Sequence, residues 1–204
     1  IFDVKEEEVA LSQEEWEESP NKFKILVSDL YLKTLINATG LVLPRHIIGF
    51  LNLAWLISAE GLALPQSIGG DLYLWSLTSA KGLVLPQNIG GDLYLWSLTS
   101  AEGLVIPQDF SGSLYLNTLT SAEGLVLPQS IGYLDIHNLD SAESLVLPQN
   151  IGGGLDLSGL TSAKGLVLPQ SIGGSLFLDN LTSAEDLVLP QSIGGSLNLS
   201  RLTG

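Results

Sequence analysis

Three side chains in the second half of the chain have the types and spacing for chemistry: Asp135, His137 and Asp156. Two carboxylates beside an imidazole can divide the acid and base roles of a proton transfer, or of hydrolysis at a sugar linkage. Such chemistry also needs a cleft that excludes water and holds a substrate. Every turn predicted below is short, so no cleft is expected; His137 is read as a surface histidine and the protein as non-catalytic. Asp71 and Asp92 invite a Ca²⁺ reading, but two carboxylates without liganding loops are too few. No metal and no cofactor is expected. The sequence has no phosphate loop, zinc spacing or nucleophile motif, and the lack of cysteine removes thiolate ligands and disulfides.

A second group offers binding rather than reaction. Asp71, Tyr73 and Trp75 recur 21 residues later as Asp92, Tyr94 and Trp96, and Tyr115 follows at the next interval. Tyr31 begins this outward series. Further on, the corresponding positions turn polar, with Asp135, His137, Asp156, Ser158, Asp179 and Asn198. One half of the face is therefore aromatic and the other acidic. Stacked aromatics stabilise neighbouring strands wherever they occur, by about 0.2–1 kcal/mol per pair. Apart from Phe177, they are confined to one half, which suggests recognition as well.

What positions these residues is an internal repeat. Gly70 to Gly90 reads GDLYLWSLTSAKGLVLPQNIG, and Gly91 to Ser111 reads GDLYLWSLTSAEGLVIPQDFS. The first leucine of each unit falls at Leu30, Leu51, Leu72, Leu93, Leu114, Leu134, Leu155, Leu176 and Leu197, always 21 apart except for 20 between Leu114 and Leu134. Inside a unit, apolar residues alternate in two bursts, Leu72-Leu74 with Leu77 after a shift, then Leu83-Leu85 ended by Pro86. Period-2 alternation predicts strands, and Gly and Pro leave no room for a helix. The Gly69-Gly70 doublet predicts one tight corner and Ala80 a second. Two short strands cannot bury their leucines alone, but stacked units can, pairing in parallel at about 4.8 Å per coil. The missing residue near Tyr133 is assigned to the glycine corner, since inside a strand it would turn the leucines outward. Stacking also predicts a ladder of glutamines from Gln66 to Gln191, read as hydrogen-bonded amides, and one of Glu60, Lys81 and Glu102 with their equivalents, read as charge pairs.

The pattern LxLxxL…LxLPxxIGG over residues 25–204 resembles bacterial leucine-rich repeats and related solenoids, including the receptor L-type β-helix. The resemblance implies a solenoid that binds rather than catalyses. Where leucine-rich repeats place an asparagine, this chain has Leu77, Leu98, Leu119 and Leu139, which points to a straight β-helix rather than a horseshoe. The expected fold is all-β: a single parallel β-solenoid over 25–204, about eight repeats and a partial ninth.

Residues 1–24 differ. Ser12 and Glu15 have capping-box spacing, and Val9, Trp16 and Phe23 could cover the first coil, so a short acidic capping helix is expected. The last unit shows no cap, and its open edge is a template for self-association. The net charge of −14 repels nucleic acid and anionic membranes. The most apolar run, Ile47 to Ile57, is too short to span a bilayer, and neither signal peptide nor compartment can be read from the sequence. The functional expectation is a module that binds a protein or glycan partner through Asp71, Tyr73, Trp75, Asp92, Tyr94, Trp96 and Tyr115. The alternatives are a structural rod that stacks end to end and an acidic mimic of DNA.

Overall fold

In the computed structural model, which describes residues 9–11 and 28–203, the repeats stack as one parallel β-solenoid of about eight turns. The first sheet has ten strands in chain order, from Val9–Leu11 through Leu72–Tyr73 and Leu93–Tyr94 to Leu197–Asn198. Every pairing is parallel and displaced by one repeat, with Leu72 opposite Leu93 and Tyr73 opposite Tyr94. The Leu72 and Leu74 N–H groups each donate to the next coil, to the Asp92 and Tyr94 carbonyls, both at 2.9 Å. No helix occurs among the described residues. Val9–Leu11 pairs with Leu30–Leu32, Val9 opposite Leu30, and so continues the 21-residue offset upstream. The remainder of the expected capping helix, with Ser12, Glu15 and Trp16, lies outside the described residues.

The core is a column of identical layers. Leu72, Leu74, Leu77 and Ala80 are fully buried and Leu83 and Ile89 nearly so, and each buried leucine contributes about 1.5–3 kcal/mol. Two hydrogen-bonded turns bend each coil around this core. Leu77 N–H donates to the Leu74 carbonyl at 3.2 Å, and Leu83 N–H to the Ala80 carbonyl at 2.9 Å. At the second turn Ser79 Oγ accepts the Lys81 N–H at 3.2 Å, a bond repeated by Ser58, Ser100, Ser121, Ser141, Ser162 and Ser183. The turn also needs a left-handed residue, Gly82 with φ 80°. Ser144 and Asp186 fill that position in two coils at φ 63°, where a Cβ is strained.

The second sheet is not where the leucine alternation placed it. Leu83–Leu85 forms no strand, and an isolated bridge, Val105 to Val126, is the pairing recorded in that stretch. The paired strands lie just beyond the proline, at Ser67–Ile68, Asn88–Ile89 and their equivalents. A proline in every coil removes a donor from each successive layer, so the ladder forms only past it. This sheet is split into three and four strands, because a turn at Gln108–Asp109 takes the place of the strand expected at Asp109–Phe110, with Phe110 N–H donating to the Pro107 carbonyl at 3.0 Å. The short repeat follows directly. Gly132 N–H bonds the Gly112 carbonyl at 2.9 Å, and Leu134 still faces Leu114, so the missing residue comes out of the glycine corner.

The outer ladders differ from expectation. Among the described residues no glutamine of the column makes a side-chain hydrogen bond, and no ion pair joins Lys81 or Lys164 to a glutamate. Order there is carried by the backbone, as in the Gln191 N–H to Gln170 carbonyl bond of 2.8 Å. Fixing long exposed side chains costs more entropy than a solvated pair returns. In the last coil, Leu189 and Leu197 are 41% and 38% exposed, whereas Leu176 one coil below is at 0%.

Two outcomes test this layering. Deleting residues 70–90 leaves every register intact, so circular dichroism should show a cooperatively folding β-protein with a modestly lower Tm, whereas deleting Leu74 alone should abolish the transition. Ser144→Gly should raise stability by about 0.5–1 kcal/mol by relieving the left-handed strain, read from thermal or denaturant melts.

Candidate functional site

Because coils repeat at one-unit offset, the outward side chains of the first sheet stand in columns. The middle column runs Tyr73, Tyr94, Tyr115 and then Asp135 and Asp156. The ring centroids of Tyr73 and Tyr94 lie 4.7 Å apart and those of Tyr94 and Tyr115 4.6 Å, with interplanar angles of 13° and 2°. Trp75 and Trp96 stack beside them at 4.6 Å and 2°. Each tyrosine also meets the tryptophan of its own coil edge-on, at 5.5 Å for Tyr73–Trp75 and 5.9 Å for Tyr94–Trp96. The predicted aromatic residues are thus one packed assembly. Stacked along the axis, the rings cover one another's faces. Tyr73, Tyr94 and Tyr115 are half-buried and Trp96 is exposed. Trp75 Nε1 is buried with no acceptor among the described residues.

The assembly extends further than the sequence reading placed it. Phe50 links Tyr31 to Tyr73 through edge contacts at 4.7 Å and 5.9 Å, and Tyr133 continues from Tyr115 at 5.8 Å. Phe50 occupies the column of Asp71, so its offset of 21 would have revealed it. Tyr133 was hidden by the 20-residue repeat.

Asp71 and Asp92 stand at the corner before the strand and do two things. Asp71 Oδ1 accepts the Asp92 N–H at 2.8 Å, and Asp92 Oδ1 accepts the Ser113 N–H at 2.7 Å. Asp29 does the same for the Phe50 N–H at 2.9 Å. The second oxygens take the tyrosine hydroxyls, Tyr73 to Asp71 at 2.7 Å and Tyr94 to Asp92 at 3.4 Å. Each carboxylate thus ties its coil to the next and aims a ring. Partial burial, then the neighbouring carboxylates, pushes the Tyr94 hydroxyl up to about 12. Burial acts first on Tyr73 as well, followed by its bond to Asp71, and that hydroxyl is also raised.

In the acidic half the structure brings together Asp135, His137 and Asp156, each offering one ligand atom within 4.8 Å of the others. Asp135 is a buried charged residue, 8% exposed. Its Oδ1 lies 2.6 Å from His137 Nδ1, and its Oδ2 accepts Asn117 Nδ2 at 3.1 Å. Asp156 Oδ1 accepts the Ser158 N–H at 2.9 Å and its hydroxyl at 2.6 Å. These donor types could hold a divalent cation, which would compete with those bonds. A shallow hollow of about 750 Å³, lined by His46, Ala63, Gln66, Val84 and Gln87 among others, shares no residue with either group. It lies where Ala63 replaces the repeat's valine. The valines at this position form an exposed column, with Val84, Val105, Val146, Val167 and Val188 each more than 70% exposed.

Comparison with known protein families, curated proteins and solved structures yields no match, so function has to be read from this geometry.

The raised Tyr94 hydroxyl gives a pH prediction. Its folded value of about 12 exceeds the ordinary 10.0, so the neutral form is favoured by folding. The stability this contributes is fully present below about pH 10 and is lost as pH rises toward 12. Phenolate absorbance at alkaline pH should show the Tyr94 titration near the top of that range, and Asp92→Asn should move it down without returning it to its ordinary value, because burial remains.

Proposed function

We propose that the protein is a non-catalytic binding module that holds a protein partner on the aromatic half of the first sheet's outer face. The observation that carries this reading is the continuous ring assembly of Tyr73, Tyr94 and Tyr115 with Trp75 and Trp96. Side chains already held by stacking lose little further entropy on binding, and tyrosine and tryptophan supply much of the energy at protein interfaces. Stacking would stabilise any coil, yet the same positions further along carry Asp135, Asp156 and Asn198, with Phe177 as the one aromatic among them. The stacked orientation favours a protein over a glycan, since a sugar ring packs on an aromatic face and these faces are covered by neighbouring rings. The resemblance to bacterial leucine-rich-repeat solenoids, which present a sheet to partners, supports the same reading, and with it a bacterial origin. Asp71 and Asp92 serve this surface by fixing the tyrosine hydroxyls.

The test is a partner captured from lysate and titrated against two double variants. Tyr94→Ala with Trp96→Ala should weaken binding by about 2 kcal/mol or more, while Gln170→Ala with Glu185→Ala leaves it unchanged. Full affinity in the aromatic variant, with circular dichroism unaltered, would sink the proposal.

A further inference from the structure

The outer face of the first sheet has an uncompensated charge. Asp29, Asp71, Asp92, Asp135, Asp156 and Asp179 all stand on it, and between Lys33 and Arg201 it carries neither lysine nor arginine. Asp135 on this face meets an imidazole, with its Oδ1 2.6 Å from His137 Nδ1. The other carboxylates are met by neutral donors: backbone N–H groups and tyrosine hydroxyls at Asp71 and Asp92, and a serine at Asp156. Like charges also sit on adjacent coils. Asp135 is the register partner of Asp156, and Asp71 and Asp92 follow one another at the corner. Directly opposed like charges destabilise a sheet, and the donors that reach Asp71, Asp92 and Asp156 are neutral groups that leave the net charge in place. The tyrosine hydroxyls register the resulting field. After burial, the carboxylates of Asp71 and Asp92 raise Tyr73 and Tyr94, and those of Asp156 and Asp135 raise Tyr133.

We propose that the partner engages this face through an extended basic segment, its guanidinium or ammonium groups seated along Asp71, Asp92, Asp135 and Asp156 and its backbone lying across the aromatic edges. The inference rests on reading this sheet face as the binding surface and adds the chemistry of the partner. Four coil steps separate Asp71 from Asp156, about 19 Å, which an extended strand of about six residues spans. Arginine suits the site better than lysine, because its planar fork takes a carboxylate bidentately and packs against aromatic rings. A single small cation satisfies only Asp135, His137 and Asp156 and leaves the aromatic half unengaged.

The experiment uses the whole chain and a fluorescent 12-residue peptide of alternating arginine and serine, with a glutamate–serine peptide as control, in 0.15 M salt. The arginine peptide should bind and the glutamate peptide should not. Asp92→Asn, Asp135→Asn and Asp156→Asn together should weaken binding about tenfold. Glu102→Gln, Glu123→Gln and Glu143→Gln, which remove the same charge from another column, should change it less than about twofold. Asp156→Asn alone, whose serine bonds stay within its own coil, should give a smaller loss in the same direction and guards against misfolding of the triple variant. Equal losses in both triple variants, or binding of Zn²⁺ or Ca²⁺ alone with none of the arginine peptide, would overturn the inference. If the peptide fails to bind but a captured partner still requires Tyr94 and Trp96, the basic segment is wrong and the binding face stands. If the peptide needs the aspartates but not Tyr94 and Trp96, the basic segment stands and the aromatic reading falls.

Discussion

The structure depends on one constraint: among the described residues, a coil's partners outside itself are the coils above and below it. The leucine N–H groups of the first strand are satisfied one coil up, and the buried leucines touch their own counterparts. Both requirements are met only if each layer has the same outline. The recurrence of Leu, Leu, Leu, Ala, Leu and Ile at fixed places is that outline written in residues. The 21-residue interval makes residues distant in sequence into contact neighbours about 4.8 Å apart.

The same constraint acts on the outside. Whatever a unit places outward is set directly over its copy, which favours rings and penalises charges. Tyr73, Tyr94 and Tyr115 gain stacking from it, while Asp135 and Asp156 are set face to face. The corner aspartates resolve the conflict differently, each spending one oxygen on the backbone of the next coil and the other on a tyrosine hydroxyl. The hydrogen bonds that hold the coils together at this edge therefore also orient the candidate binding surface.

Much of this was legible in the sequence because the period was legible. Once Leu72 and Leu93 are equivalent, the parallel sheet, the inward leucines, the alanine corner and the columns of Tyr73 and Trp75 follow. The second sheet was misplaced because alternation marks which residues point inward, not which backbone groups are paired. Leu83 and Leu85 do point toward the core, but Pro86 withholds the donor that pairing needs. The direction of the ring faces was invisible too, since spacing fixes columns and leaves side-chain torsions open. The amide and charge ladders failed because proximity in a column is not a bond when both partners are long and wet.

The turn that replaces one strand of the second sheet, at Gln108–Asp109, has a mechanical consequence. The ladder of the second sheet is interrupted between Asn88–Ile89 and Ser130–Ile131, while the first sheet runs through unbroken. Across those coils the rod is held along one side by continuous hydrogen bonds and on the other by the Val105–Val126 bridge and packed side chains. A rod with one stiff wall and one interrupted wall has a preferred bending direction. The joint falls where the tyrosine column gives way to aspartates, so flexing there tilts the aromatic half of the surface against the acidic half.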